Sequence, residues 1–228
     1  NFGTLTIAAN GDYVFDPVDN WNGSVPVVTY NVRDPNGGTG SSTLSISVTP
    51  VNDAPTATGG QITGTEDTPY VFTWAQFNVA DVDSGDTLSI KITTLPADGT
   101  LQYNGASGWV NVTANQVISK ADIDAGKLRF APDGNESGID GYGTAGTGNQ
   151  KQDYASFNYQ GVDAAGASSA TVAMKVDITP VADAPTLSLN GAPTATPTGL
   201  KKESWTNISF TDVYNGGSGA NQNTLEAR

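Results

Sequence analysis

The run Val172-Ala173-Met174-Lys175-Val176-Asp177-Ile178 sets an apolar side chain at every second position, with Ala173, Lys175 and Asp177 between. Period-2 alternation in a segment rich in β-branched residues is the pattern of a strand with one buried and one wet face. The pattern recurs in both directions from this run. Leu5-Thr6-Ile7, Tyr13-Val14-Phe15, Val27-Val28-Thr29-Tyr30, Leu44-Ser45-Ile46-Ser47-Val48 and Leu88-Ser89-Ile90-Lys91-Ile92 have the same character, each bounded by Gly, Asn, Asp or Pro. Only Trp74 to Phe77 and Ser119 to Gly126 have room for a helical turn, the second capped by Ser119 or Asp122. Short strands at regular spacing, separated by turn signals, predict an all-β chain built of β-sandwiches.

An internal repeat sets the units. Thr49-Pro50-Val51-Asn52-Asp53-Ala54-Pro55-Thr56 returns as Thr179-Pro180-Val181-Ala182-Asp183-Ala184-Pro185-Thr186. Upstream, Phe15-Asp16-Pro17 corresponds to Phe130-Ala131-Pro132, and Tyr30 through Gly37 corresponds to Tyr159 through Gly166. The second copy carries extra residues in the Gly-rich stretch from Gly138 to Gln150, which reads as a long loop. Residues 51–180 thus read as one whole sandwich. Residues 1–50 read as the closing half of a repeat and 181–228 as the opening half of another, joined by short linkers that proline keeps extended. The start at Asn1, with no initiator Met or signal peptide, reads as a fragment of something longer.

Composition removes several chemistries. Without His or Cys there is no imidazole base, no thiol nucleophile, no His/Cys zinc site and no disulfide. Ten Lys and Arg against 23 Asp and Glu give a net charge of −13, which excludes a grip on nucleic-acid phosphates. No apolar stretch is long enough for a membrane-spanning helix. Carboxylates, amides, hydroxyls and carbonyls remain, and these are ligands for hard cations such as calcium. Asp81-Val82-Asp83-Ser84-Gly85-Asp86 concentrates three carboxylates in one short turn. Taken alone, the run is either a solvated turn or a calcium loop, because Asp and Gly are good turn residues in any case. It is not an EF-hand, which requires Gly at its sixth position and Glu at its twelfth.

The combination of Val51-Asn52-Asp53-Ala54-Pro55, Thr65-Glu66-Asp67-Thr68-Pro69, Asp81 through Leu88, Gly99-Thr100-Leu101 and the returning Val-Thr-Pro closures resembles the cadherin-like and Ig-like tandem repeats of large bacterial surface adhesins, many of them of the RTX type. The resemblance covers nearly the whole chain. It implies tandem β-sandwiches with calcium at the junctions between repeats. Carried over residue by residue, the first junction would use Asn52, Asp53, Asp81, Asp83 and Asp163. The second would use Glu66, Asp183 and Asp212. Ala182 stands where the first junction has Asn52, and Val213-Tyr214 replaces the second half of the D-x-D pair, so the second junction is the poorer match. Asp34 corresponds to Asp163.

The resemblance further implies a non-enzymatic, calcium-rigidified extender at the bacterial cell surface. Its partners would be neighbouring repeats of the same adhesin, with glycan or peptide ligands met through adjacent modules in adhesion or biofilm formation. The alternative is that the segment itself recognises a glycan or peptide, through Trp109, Tyr142 and the Gly138–Gln150 loop. Trp21, Trp74, Trp109 and Trp205 read first as core residues, and the loop as a tolerated insertion. A glycosidase-like carboxylate pair would need a cleft of which the sequence gives no sign.

Overall fold

The computed structural model describes residues 1–182, 186–189 and 208–211. Their strands form two compact units and one short hairpin. In the first unit, β1 (Gly3–Ile7) pairs with β2 (Tyr13–Pro17), β3 (Gly23–Ser24) with β6 (Ser47–Val48), and β4 (Val28–Arg33) with β5 (Thr39–Leu44), all antiparallel. The alternating run 44–48 is therefore not one strand. Its first part belongs to the β4–β5 hairpin, and after Ser45 and Ile46 the chain changes partner and pairs with β3. No residue of 1–54 is fully buried.

The second unit is a sandwich. It contains β7 (Thr56–Ala57), β8 (Gly60–Thr65), β9 (Tyr70–Val71), β10 (Val79–Ala80), β11 (Ser89–Thr94), β12 (Thr100–Gly105), β13 (Gly108–Asn111), β14 (Val117–Ser119), β15 (Leu128–Ala131), β16 (Ala155–Val162) and β17 (Val172–Thr179). One sheet has the order β14-β11-β16-β17-β8 and the other β13-β12-β15-β9. Strand β8 lies parallel to β17, while the other pairs within the two sheets are antiparallel. Alternation is cleanest in β16, where Ala155, Phe157, Tyr159 and Gly161 are buried and the residues between them are half-buried.

Ile62, Ile90, Ile92, Phe157, Tyr159, Met174, Val176 and Ile178 from the first sheet meet Leu101, Leu128 and Phe130 from the second in a single core. Perpendicular ring contacts hold its aromatic part, with Phe77 and Tyr159 at 5.1 Å and Phe72 and Phe157 at 5.9 Å between centroids. Both expected helical turns are present. Trp74–Phe77 is a 3₁₀ turn after Thr73, and α1 (Lys120–Asp124) starts at Ser119, whose Oγ accepts the Asp122 N–H at 3.1 Å. The fold class agrees with the alternation. Beyond residue 182, β18 (Thr186–Leu189) pairs antiparallel with β19 (Ile208–Thr211).

The internal repeat is geometric as well as sequential. Leu5 faces Phe15 across β1 and β2, and Leu101 faces Phe130 across β12 and β15 in the same register. The aromatic ring covers a glycine in both copies. A Cβ on Gly3 (φ 151°) would lie 2.8 Å from the Phe15 ring, and one on Gly99 (φ 66°) 2.4 Å from the Phe130 ring. No other residue fits under either ring, which explains why Gly-Thr-Leu recurs with its Phe partner.

Candidate metal centre

The loop Asp81–Asp86 leaves β10 in an Asx turn, in which the Asp81 Oδ1 accepts the Asp83 N–H at 2.9 Å. The Asp83 Oδ2 accepts the Asp53 N–H at 2.8 Å, so the pair Asp53 and Asp83 is brought together. The Asn52 side-chain amide donates to the Asp53 carbonyl at 3.1 Å.

Asp163 opens the turn that follows β16. Its Oδ1 accepts the Ala167 N–H at 2.7 Å, its own N–H reaches the Ala167 carbonyl at 3.1 Å, and 6 % of its surface remains exposed. Asp163 belongs to the second unit, whereas Asp81, Asp83 and Asp86 belong to the first together with Asn52 and Asp53. Asp86, absent from the expected ligand set, is the third carboxylate of the 81–86 loop. Its signal in the sequence was the Ser84-Gly85 step, where Gly85 at φ 93° reverses the chain and returns the third carboxylate of the run.

Carboxylates concentrated in one short loop repel one another in the absence of a cation. The Asp81 Oδ2 is buried and accepts no hydrogen bond. A buried carboxylate oxygen with no donor is expensive, and a divalent ion would satisfy it. The donor set is oxygen only, as calcium prefers. The loop therefore fits a hard divalent cation, with the Asp81 Oδ2 as the buried oxygen left for it.

Glu66 belongs to the second unit. It is 1 % exposed at the end of β8, its N–H donates to the Thr179 carbonyl at 3.0 Å, and its Oε1 accepts the Val181 N–H. Both of its partners belong to the second copy of the Thr-Pro-Val junction sequence. Asp183 and Asp212, its expected companions, lie outside the described residues, as does Trp205.

Among the described residues, Trp74 agrees with its core reading, while Trp21 and Trp109 lie outside the core. Trp74 is half-buried and packs against the core, with the Lys120 ammonium 5.7 Å from its ring centroid. Trp21 is half-buried and meets Phe2 at 5.3 Å. Trp109 is half-buried on β13, outside the core, and the Arg129 guanidinium lies 4.0 Å from its ring centroid. One face of that indole is therefore already taken, which weakens it as a sugar platform.

Residues 1–49 and 51–124 match the family profile of the cadherin-like domain. No curated protein matches the chain. Among the described residues, no helix is long and apolar enough to cross a membrane.

Proposed function

The chain belongs to the cadherin-like domain family, and from that premise we propose that it is a non-enzymatic, calcium-stiffened extender segment of a secreted bacterial adhesin. The observation that carries this reading is the buried Oδ2 of the half-buried Asp81, which has no hydrogen-bond donor, in a loop that holds three carboxylates. Calcium held by Asp81, Asp86 and Asp163, with Asn52, Asp53 and Asp83 close by in sequence or by hydrogen bond, would turn mutual repulsion into a fixed linker. Repeats stiffened in this way hold a terminal ligand-binding module away from the cell surface, which places the chain outside the cell. Glu66 with Asp183 and Asp212 would serve the next linker. Neighbouring repeats are the direct partners, and glycan or peptide recognition belongs to adjacent modules.

Removing calcium with a chelator is the test. A site that binds only the folded chain contributes about 2.7 kcal/mol when calcium is at a hundredfold excess over Kd. The Tm is expected to fall by several degrees on chelation, and the spread of radii of gyration in small-angle scattering to widen. Unchanged melting and scattering curves overturn the reading.

A further inference from the structure

Asp177 breaks the alternation of β17. Met174, Val176 and Ile178 point into the core, so Ala173, Lys175 and Asp177 lie on the outer face of the sheet. Ala173 and Lys175 are exposed there, but Asp177 is 4 % exposed. The cover comes from the Gly138–Asp153 segment. Gly138 and Ile178 exchange both backbone hydrogen bonds, at 2.9 and 2.7 Å. The Gln150 N–H donates to the Ser137 carbonyl at 2.6 Å and the Gly148 N–H to the Tyr154 carbonyl at 2.7 Å, closing the segment on itself. A stretch that reads in sequence as a loose insertion is therefore pinned along the last strand of the sandwich.

This cover brings more negative charge. Asp140, Asp153 and Asp177 each place one carboxylate oxygen within 4.8 Å of the other two. The facing groups are few. Gln61, which lies beside Lys175 in the parallel register of β8 and β17, donates from Nε2 to the Asp177 Oδ2 at 2.7 Å and to the Asp140 Oδ2 at 3.1 Å. The Lys175 ammonium reaches the Asp153 Oδ2 at 3.2 Å. One cation thus faces three anions. The Asp177 Oδ1 is buried and has no hydrogen-bond partner, and burial raises the Asp177 pKa from its ordinary value.

We propose that Asp140, Asp153 and Asp177 form a second divalent-cation site, of the calcium class, that fastens the 138–153 loop to the outer face of the five-stranded sheet. The ligands are all oxygen, and the orphaned Asp177 oxygen is the fixed, buried one. Asp140 is exposed and Asp153 half-buried, so the two loop carboxylates close over the ion from the solvent side. The Gln61 amide, turned over, offers Oε1 as a further ligand. This site stands apart from the linker cluster and does not depend on it.

The test uses the full chain, stripped of calcium and titrated calorimetrically with calcium chloride, with amide exchange of residues 138–153 read in parallel. Calcium at about ten times Kd is expected to slow loop exchange on the order of tenfold. Asp177→Asn, and separately the paired change Asp140→Asn with Asp153→Asn, are expected to bind one calcium fewer per chain and to lose that protection. Asp177→Asn in the calcium-free state is expected to melt no lower than the parent, since it removes a buried like charge. The paired loop variant changes only residues at or near the surface and keeps the test valid if the buried substitution impairs folding. Asp81→Asn with Asp86→Asn is expected to retain the calcium dependence of the loop, whatever becomes of the linker. Loss of the loop effect in that variant overturns the proposal. So does an unchanged calcium count and loop exchange in the Asp140/Asp153 pair, or a parent chain that binds no calcium.

Discussion

Phe15, Tyr30 and Asp34 stand in residues 1–54 where Phe130, Tyr159 and Asp163 stand in the sandwich, and the two sets differ almost wholly in burial. The local geometry is shared. Phe15 and Phe130 each face a leucine and cover a glycine. Asp34 Oδ1 accepts the Gly38 N–H at 2.8 Å, as Asp163 Oδ1 accepts that of Ala167 at 2.7 Å. Yet Phe130 and Tyr159 are 0 % exposed, whereas Tyr30 is 36 % exposed and Phe15 only half-buried. Hairpin register and turn closure are therefore properties of a few neighbouring residues. Burial requires a second sheet, which residues 51–180 contain within themselves.

The largest expected contrast lies in the phenylalanines. Phe130→Ala should destabilise the sandwich by about 3–5 kcal/mol, the usual cost of an aromatic truncation in a packed core. Phe15→Ala should stay within about 1 kcal/mol. Urea unfolding of both variants measures this, and equal losses would show that residues 1–54 bury their apolar face after all.

Next come the tyrosines. The Tyr159 hydroxyl donates to the buried Phe77 carbonyl, and burial pushes its pKa up to about 12. Tyr159→Phe leaves that carbonyl without its donor and should cost about 1–3 kcal/mol, while Tyr30→Phe should be close to neutral. The same unfolding curves report both.

A finer contrast separates charge from turn geometry. An amide oxygen can still accept the backbone N–H, so Asp163→Asn should keep its turn and lose calcium affinity, read by calorimetry. Asp34→Asn should change neither calcium binding nor melting. A loss of affinity in the Asp34 variant would give residues 1–54 a metal role of their own.

The smallest effect is a pH dependence confined to the sandwich. Hydrogen bonds from Lys127 first, then from Tyr103 and Ser119, hold Asp122 below its ordinary value of 3.8. Because the folded-state value is depressed, the stabilisation is fully present above the ordinary value and is lost as pH falls through the depressed one. Asp122→Asn should flatten that slope slightly in acid melting curves, and an unchanged slope would remove Asp122 from the account.

These contrasts also mark what the sequence made legible. Strand alternation, the Ser119 cap and the returning Phe, Tyr and Asp are written in neighbouring residues, and the structure reproduces them. The partner change after Leu44 was not legible, since both candidate partners of that run are equally good strands. Asp177 looked like an ordinary outward residue of a strand, and only the folding back of 138–153 buries it. A core reading of Trp109 missed the Arg129 guanidinium that reaches over it from β15, across the intervening strand β12.

The parallel pairing of β8 with β17 has a mechanical consequence. These two strands lie near the entry and exit of the sandwich, and six residue pairs from Met174↔Gly60 to Thr179↔Thr65 join them side by side. Tension applied through the flanking prolines pulls such strands lengthwise in opposite directions. The rungs then share the load in shear and must fail together, whereas an antiparallel end pair would unzip one rung at a time. Resistance of the sandwich to extension between its two ends thus follows from this strand order alone.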